Sequence, residues 1–225
     1  MSMRRSSSTD IHDFRSGAAI ASGWTLDSED SQRSAAASAL SAMPETSGLL
    51  RFSLFRGVDD FTLFLISQWT NESSRDAFIP ASGTPRAAVD KAEPNIRRDW
   101  RYPASLYRRF IGDESSLQGC LVVVRQPLNC ADRQMQRHWA DTAMTALESQ
   151  SEPSPGLIAA SFFLSADGEH ILNLAEWQSA DAHRAWLNRD RIGETPEWRA
   201  LLSHPGAAVG GDVRRYEFFG AVEAP

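Results

Sequence analysis

Lysine is almost absent from this 225-residue sequence: Lys91 stands alone, so the basic charge is carried by arginine. With a net charge of -6 there is no electrostatic case for a nucleic-acid partner. No apolar run approaches the roughly 20 residues that span a bilayer, so no membrane association is expected. Arg4 and Arg5 are not followed by an apolar stretch, so the N-terminus is not a secretory signal. Residues 1–15, rich in serine, read as a disordered leader. Cysteine is scarce too. Cys120 and Cys130 cannot frame a disulfide scaffold, and they lack the partners of a metal site. Two reduced thiols and a cytoplasmic location are the plain expectation. The sequence has no Gly-x-Ser-x-Gly elbow, no His-x-x-x-His pair, no Cys-x-x-Cys, no phosphate-binding loop and no glycine-rich dinucleotide fingerprint. Hydrolases and metallopeptidases of those types are thereby set aside.

What is present is an internal duplication. Gly48-Leu-Leu-Arg-Phe-Ser-Leu-Phe aligns with Gly156-Leu-Ile-Ala-Ala-Ser-Phe-Phe at a separation of 108, and the register continues ungapped to Ile79. Gly48/Gly156, Leu49/Leu157, Ser53/Ser161, Phe55/Phe163, Asp59/Asp167, Trp69/Trp177 and Ala77/Ala185 are identical pairs. Later, Tyr107-Arg-Arg-Phe resembles Val213-Arg-Arg-Tyr at a separation of 106, a shift that a loop absorbs. A fixed period of this kind is the signature of a repeated structural unit.

Each copy predicts the same elements. In the second, Cys120 to Gln126 is a β-branched run ended by Pro127. Asn129 then stands as the expected N-cap of a helix, with Asp132 in its first turn. Met135, Trp139, Ala143, Ala146 and Leu147 recur at helical spacing. Leu157 to Ser165 and His170 to Trp177 read as a hairpin about Asp167-Gly168. Helices follow over Ala180 to Leu187 and Thr195 to Leu202, and Val213 to Val222 is the last strand. The first copy gives strands at Ala18 to Thr25, Leu49 to Arg56, Phe61 to Trp69 and Leu106 to Ile111, with helices near Glu29 to Met43 and Ser73 to Ile79. The order is β-α-β-β-α-β, the split unit of the ferredoxin-like fold. The fold class expected is therefore α+β, with two tandem ferredoxin-like units. The first occupies 16–111, polar residues 112–119 link, and the second occupies 120–225. In Phe61 to Trp69 both strand faces are apolar, where a sheet with one wet face would alternate. The cover expected for the second face is the other copy's sheet, giving a pseudo-dimeric α+β barrel from one chain.

Asn173-Leu-Ala-Glu-Trp177, followed by Ala180-Asp-Ala-His-Arg-Ala-Trp186, resembles the antibiotic biosynthesis monooxygenase family, as do Pro155-Gly-Leu-Ile and Val213-Arg-Arg-Tyr-Glu-Phe. The resemblance extends over both halves. It implies a dimeric α+β barrel and, for tandem members, oxygenases that tailor aromatic polyketides. The best-known activity of that kind oxidises an anthrone to a quinone with O2 and neither metal nor flavin. No cofactor is then expected, and the partner is a small aromatic substrate. Whether chains associate further as a homo-oligomer is left open.

The residues allow that chemistry. Asn173, Ala175 and Trp177 alternate along one strand and share a face. A buried amide in an apolar row needs a partner, and a ligand carbonyl or phenol could supply it. Trp177 offers one N–H and a broad flat surface, and Ala175 leaves room between them. His183, where family members often carry Tyr, is the candidate base. Asn173, Trp177 and His183 are thus the candidate catalytic set, with Ala175, Phe162, Trp139 and Trp186 against the substrate. Each has a structural alternative: Trp177 and Trp69 as core anchors, Asn173 as a local cap, His183 as a solvated helix residue, and Trp139, Trp186 and Trp198 as packing. In the first copy Leu65 replaces Asn173 and Arg75 replaces His183. The working cavity is therefore expected in the second half, with the first as its structural mate or the binder of something else. Three rivals stand beside this reading. One is a ring-cleaving or hydroxylating oxygenase that uses reduced flavin. Another is a haem-degrading relative, weakened because Leu187 stands where the haem-ligating His would be. The last is a non-catalytic small-molecule binder.

Overall fold

A computed structural model describes residues 4–6, 17–81, 83–113, 116–149, 154–188 and 195–224. The chain divides into two units, Met1–Ser105 with Tyr216–Pro225, and Leu106–Arg215. Within the first unit Thr62–Trp69 is paired antiparallel on both sides, with Ala18–Thr25 and Leu49–Gly57; within the second, His170–Trp177 is paired in the same way with Cys120–Pro127 and Leu157–Ser165, so the two units repeat one strand arrangement.

The first unit contains β1 (Arg4–Ser6), β2 (Ala18–Thr25), α1 (Glu29–Ala42), β3 (Leu49–Gly57), β4 (Thr62–Trp69), α2 (Glu72–Ala81), α3 (Gly83–Ala92) and the first part of β5 (Arg97–Ile111). The expected leader is corrected at Arg4–Ser6, which pairs antiparallel with Ala221–Glu223; the rest of 1–15 lies outside the described residues except for those three. Ser28 caps α1 by accepting from the Ser31 amide. Small buried Ala35, Ala36 and Ala39 then let that helix lie close on Leu54, Leu63 and Leu65. β4 is buried along its whole length. Its alternation directs Leu63, Leu65 and Trp69 to the helices, while Phe64 packs with Phe55, Trp100 and Tyr216. Both faces of β4 are therefore buried, as its apolar pattern predicts.

The second unit contains β6 (Cys120–Pro127), α4 (Arg133–Glu148), β7 (Leu157–Ser165), β8 (His170–Trp177), α5 (Ala180–Leu187), α6 (Pro196–Leu202) and the start of β9 (Asp212–Glu223). The N-cap of α4 is Asp132 rather than Asn129: its carboxylate accepts from the amides of Gln134 and Met135. The Asn129 amide instead donates to the Pro205 and Ala207 carbonyls. α5 is capped by Ser179 and α6 by Thr195, with Pro196 in the first turn, where its missing N–H costs nothing. Both cysteines are free, Cys120 buried and Cys130 exposed.

The same tight turn opens β3 and β7. Gly48 and Gly156 have φ of +82° and +85°, and a Cβ there would lie 2.5 Å from Ser74 and 2.8 Å from Ala182. That double constraint accounts for a glycine at this point in each copy.

The domain boundaries differ from those expected. The first divide falls inside β5, between Ser105 and Leu106, not at residues 112–119. Gly112 and Asp113 donate from their amides to Ile158 and Leu157, and Gly119 to Trp177, so these residues of the supposed linker are tied to the second unit. Tyr216 onward belongs to the first unit, where β9 pairs with β3. Each copy's last strand thus begins in its own unit and ends in the other. A fifteen-residue strand is long enough for this; it extends the expected Leu106–Ile111 back to Arg97, through a stretch too polar to show the pattern of a strand. Among the described residues, no helix is long and apolar enough to cross a membrane.

Candidate functional site

β8 presents Ile171, Asn173, Ala175 and Trp177 on the face toward α4. Asn173 lies between Phe162 on β7 and Val124 on β6. Phe162, Ala175, Trp177 and Trp139 are buried in one cluster, with Trp186 and Val124 packed against it. The sequence-selected residues are thus neighbours. The Trp177 ring meets His183 edge-on at 5.0 Å and Trp186 at 5.5 Å, and His183 stacks on Trp186 at 6.0 Å. Trp198 extends the aromatic row at 5.5 Å from Trp186.

Two polar atoms in this cluster stand out. Asn173 Oδ1 and Trp177 Nε1 are both buried, and neither has a hydrogen-bond partner among the described residues. Leaving such groups unsatisfied costs about 1–3 kcal/mol each. The first unit shows the satisfied version of the same tryptophan. Trp69 Nε1 donates to Ser67 Oγ at 2.9 Å, and the residue matching Ser67 in the second copy is Ala175. Trp69 packs on Phe78 at 4.9 Å, as Trp177 packs on Trp186. Packing of the indole is therefore common to both units, whereas its open N–H is peculiar to the second.

His183 is buried, not solvated. Its Nδ1 accepts a hydrogen bond from Arg215 Nε at 3.0 Å. A lone pair already committed to a guanidinium cannot collect a proton without losing that bond and placing two positive charges together. The expected base His183 thus has its Nδ1 lone pair engaged by Arg215, and its ring lies against Trp177 and Trp186. Arg215 lies 32 residues away in sequence, and only its place in the repeated Arg-Arg motif marked it. Arg75, the first-copy match of His183, is buried and donates to Ala104 O and Ser105 Oγ on β5. In each unit this helix position is fastened to the copy's last strand.

Glu176, on the opposite face of β8, is 1% exposed and pairs with Arg109 at 3.5 Å. Ligand atoms of Asp167, Glu169 and His170 lie within 4.8 Å of one another at the β7–β8 hairpin. The Asp167 carboxylate there accepts from the Glu169 amide and the Ser165 hydroxyl, which is turn chemistry. On α4, His138 Nδ1 lies 2.8 Å from His204 Nε2, and the Gly206 amide donates to His204 Nδ1. Burial first, and then the charge of His138, push the His204 imidazole below its usual range.

A cavity of about 350 Å3 opens in the first unit, between β2, β4, β5 and the helices. The half expected to act as a structural mate thus carries a cavity of ligand size. Its charged groups, Arg86, Arg98 and Arg101, come from α3 and the early part of β5, segments with no apolar stripe to mark them as elements in the sequence.

The fold and site define an α+β protein of two ferredoxin-like units, with an aromatic cluster between a sheet and its helices. Residues 132–198, within the second unit, match the family model described as antibiotic biosynthesis monooxygenase. Among solved structures, an anthrone oxidase-like protein is similar at 13% identity and a TM-score of 0.69, over 91% of this chain and 92% of that chain. A protein described as a candidate monooxygenase from Lactobacillus acidophilus NCFM is similar at 12% identity and a TM-score of 0.53, over 89% and 94%. The ActVA-Orf6 monooxygenase of Streptomyces coelicolor, determined with nanaomycin D, matches at 26% identity and a TM-score of 0.38, over 44% of this chain and 87% of that one. No curated protein sequence matches.

Proposed function

We propose that the protein is an oxygenase acting on a phenolic polycyclic aromatic of the anthrone type, with the chemistry in the second unit. The observation that carries this reading is the pair of buried, unpartnered atoms four residues apart on β8, Asn173 Oδ1 and Trp177 Nε1. One is an acceptor and the other a donor. A hydroxyl beside a ring carbonyl offers the complement, an O–H for the amide and a C=O for the indole. The antibiotic biosynthesis monooxygenase domain over 132–198 supports the same assignment.

The reaction follows from the substrate. An anthrone CH2 flanked by two aryl rings and conjugated to a carbonyl loses a proton to give an enolate. The Trp177 N–H, placed where oxygen charge develops, stabilises that enolate in a dry site. Because His183 is committed to Arg215, the proton passes to solvent or to a phenolate of the substrate itself. The electron-rich enolate reduces O2. One oxygen atom becomes the new carbonyl and the other leaves as water, so anthrone and O2 give quinone and H2O. In this proposal neither a metal nor an organic cofactor takes part. The flat rings of Phe162, Trp139 and Trp186 exclude water from the intermediate.

The test is O2 uptake with a dihydroxyanthrone, with and without added reduced flavin. Trp177→Phe should lower turnover by about a hundredfold, the scale of one lost oxyanion donor, and Asn173→Ala should lower it through the lost acceptor that orients the substrate hydroxyl, both with unchanged circular dichroism. Unchanged turnover in both variants overturns the assignment, and dependence on reduced flavin replaces the direct reaction with O2.

A further inference from the structure

The first-unit cavity is lined by apolar side chains from β2, β4 and the helices, yet its charged members are all arginines: Arg86, Arg98 and Arg101. Among the described residues no carboxylate lines it. Asp90, outside the lining, pairs with Arg98 and lies 3.8 Å from Arg86, so one acid serves two guanidiniums. Arg98 spreads over the Trp24 indole at 5.1 Å. Its Nη2 is buried with no hydrogen-bond partner among the described residues. Arg101 is exposed as a residue, but its guanidinium sits below the ordinary arginine range, through desolvation first and the charge of Arg86 second.

The placement of Arg98 and Arg101 requires an irregularity. Residues three apart on a regular strand point to opposite faces. Here the register of β2 against β5 shifts between Gly23 and Trp24, so that Trp24 faces Arg98 and Ser22 faces Arg101. Trp24 and Ser22 both line the cavity. The extra residue, Asp99, turns both arginines to one side, the kind of re-aiming for which bulges are known. Gly23 is part of this device: a Cβ on it would lie 2.4 Å from the Trp100 ring.

We propose that the first-unit cavity is a binding site for a planar aromatic acid, its ring against Trp24 and Phe52 and its carboxylate on Arg98 and Arg101. Guanidinium groups bind carboxylates in a fork geometry, and the open Nη2 of Arg98 supplies one prong. An apolar cavity with excess positive charge at one end selects for an apolar ligand with one anionic end. This site is independent of the chemistry assigned to the second unit.

The test uses anthraquinone-2-carboxylate and its uncharged analogue, 2-(hydroxymethyl)anthraquinone, titrated calorimetrically against the full chain. The acid should bind at least about tenfold more tightly than the alcohol, a difference of about 1.4 kcal/mol. Arg98→Gln and Arg101→Gln should each remove most of that difference and leave binding of the alcohol unchanged, which also shows that the variants fold. Arg98→Lys should retain part of it. The second-unit variant Asn173→Ala should leave the acid's affinity unchanged. Equal affinity for acid and alcohol, or loss of the acid in Asn173→Ala but not in Arg98→Gln, overturns the proposal.

Discussion

Arg215 Nε donates to His183 Nδ1 at 3.0 Å and so engages the lone pair that a base at His183 would use. The imidazole is fixed edge-on to Trp177 with its accepting nitrogen occupied. His183→Gln keeps an acceptor for Arg215. It should therefore lose less than tenfold in kcat with an unmoved pH–rate profile, whereas removal of a general base costs about 10²–10⁴-fold. A hundredfold loss with a displaced acid limb would restore the base role.

Ser67 and Ala175 occupy matching places in the two copies, and only the serine satisfies its tryptophan. Ala175→Ser should give Trp177 the partner that Trp69 has. Stability should rise by about 1 kcal/mol, the net worth of a hydrogen bond, while O2 uptake on the anthrone falls. The comparison of urea midpoint with turnover checks both signs at once. A variant that is less stable and equally active would show that the indole N–H is not reserved for a ligand.

Gly48 and Gly156 combine positive φ with no room for a Cβ. Gly156→Ala should cost about 1–3 kcal/mol, from backbone strain together with the contact on Ala182. Gly48→Ala should cost about as much, since its Cβ meets Ser74. Chemical denaturation measures both, and a neutral result at either position would contradict the turn geometry.

The His138–His204 pair makes stability depend on pH. The His204 imidazole titrates below its unfolded value, because burial and then the charge of His138 oppose protonation. Its contribution is therefore complete above the unfolded value of about 6.5. As pH falls through that value the unfolded chain takes up a proton that the native state refuses, so stability declines until the lower folded value is passed. The urea midpoint should be lower at about pH 5.5 than at about pH 7.5, and His204→Asn should shrink that difference. A midpoint that rises on acidification would reverse the sign.

The sequence carried much of this where local rules dominate. Ala18–Thr25, Leu157–Ser165, His170–Trp177 and Ala180–Leu187 have the bounds expected of them, because apolar periodicity and the Asp167-Gly168 turn are local signals. The grouping of Asn173, Trp177 and His183 was also legible, from strand alternation and a short helix behind it. Three things were not. α3 and Arg97–Ser105 lack an apolar stripe, since their polar side chains face a cavity or solvent. The bond from Arg215 to His183 is set by tertiary folding alone. The strand boundaries inside β5 and β9 depend on pairing partners distant in sequence, which no local pattern records.

The exchange of strand ends has a consequence for how such a chain can change. A cut between the repeats, at the polar residues after Ile111, separates two polypeptides that each lack the closing strand segment of their own unit. Each would carry the other's missing piece. Separating the repeats at that point would therefore remove a strand segment from both units at once.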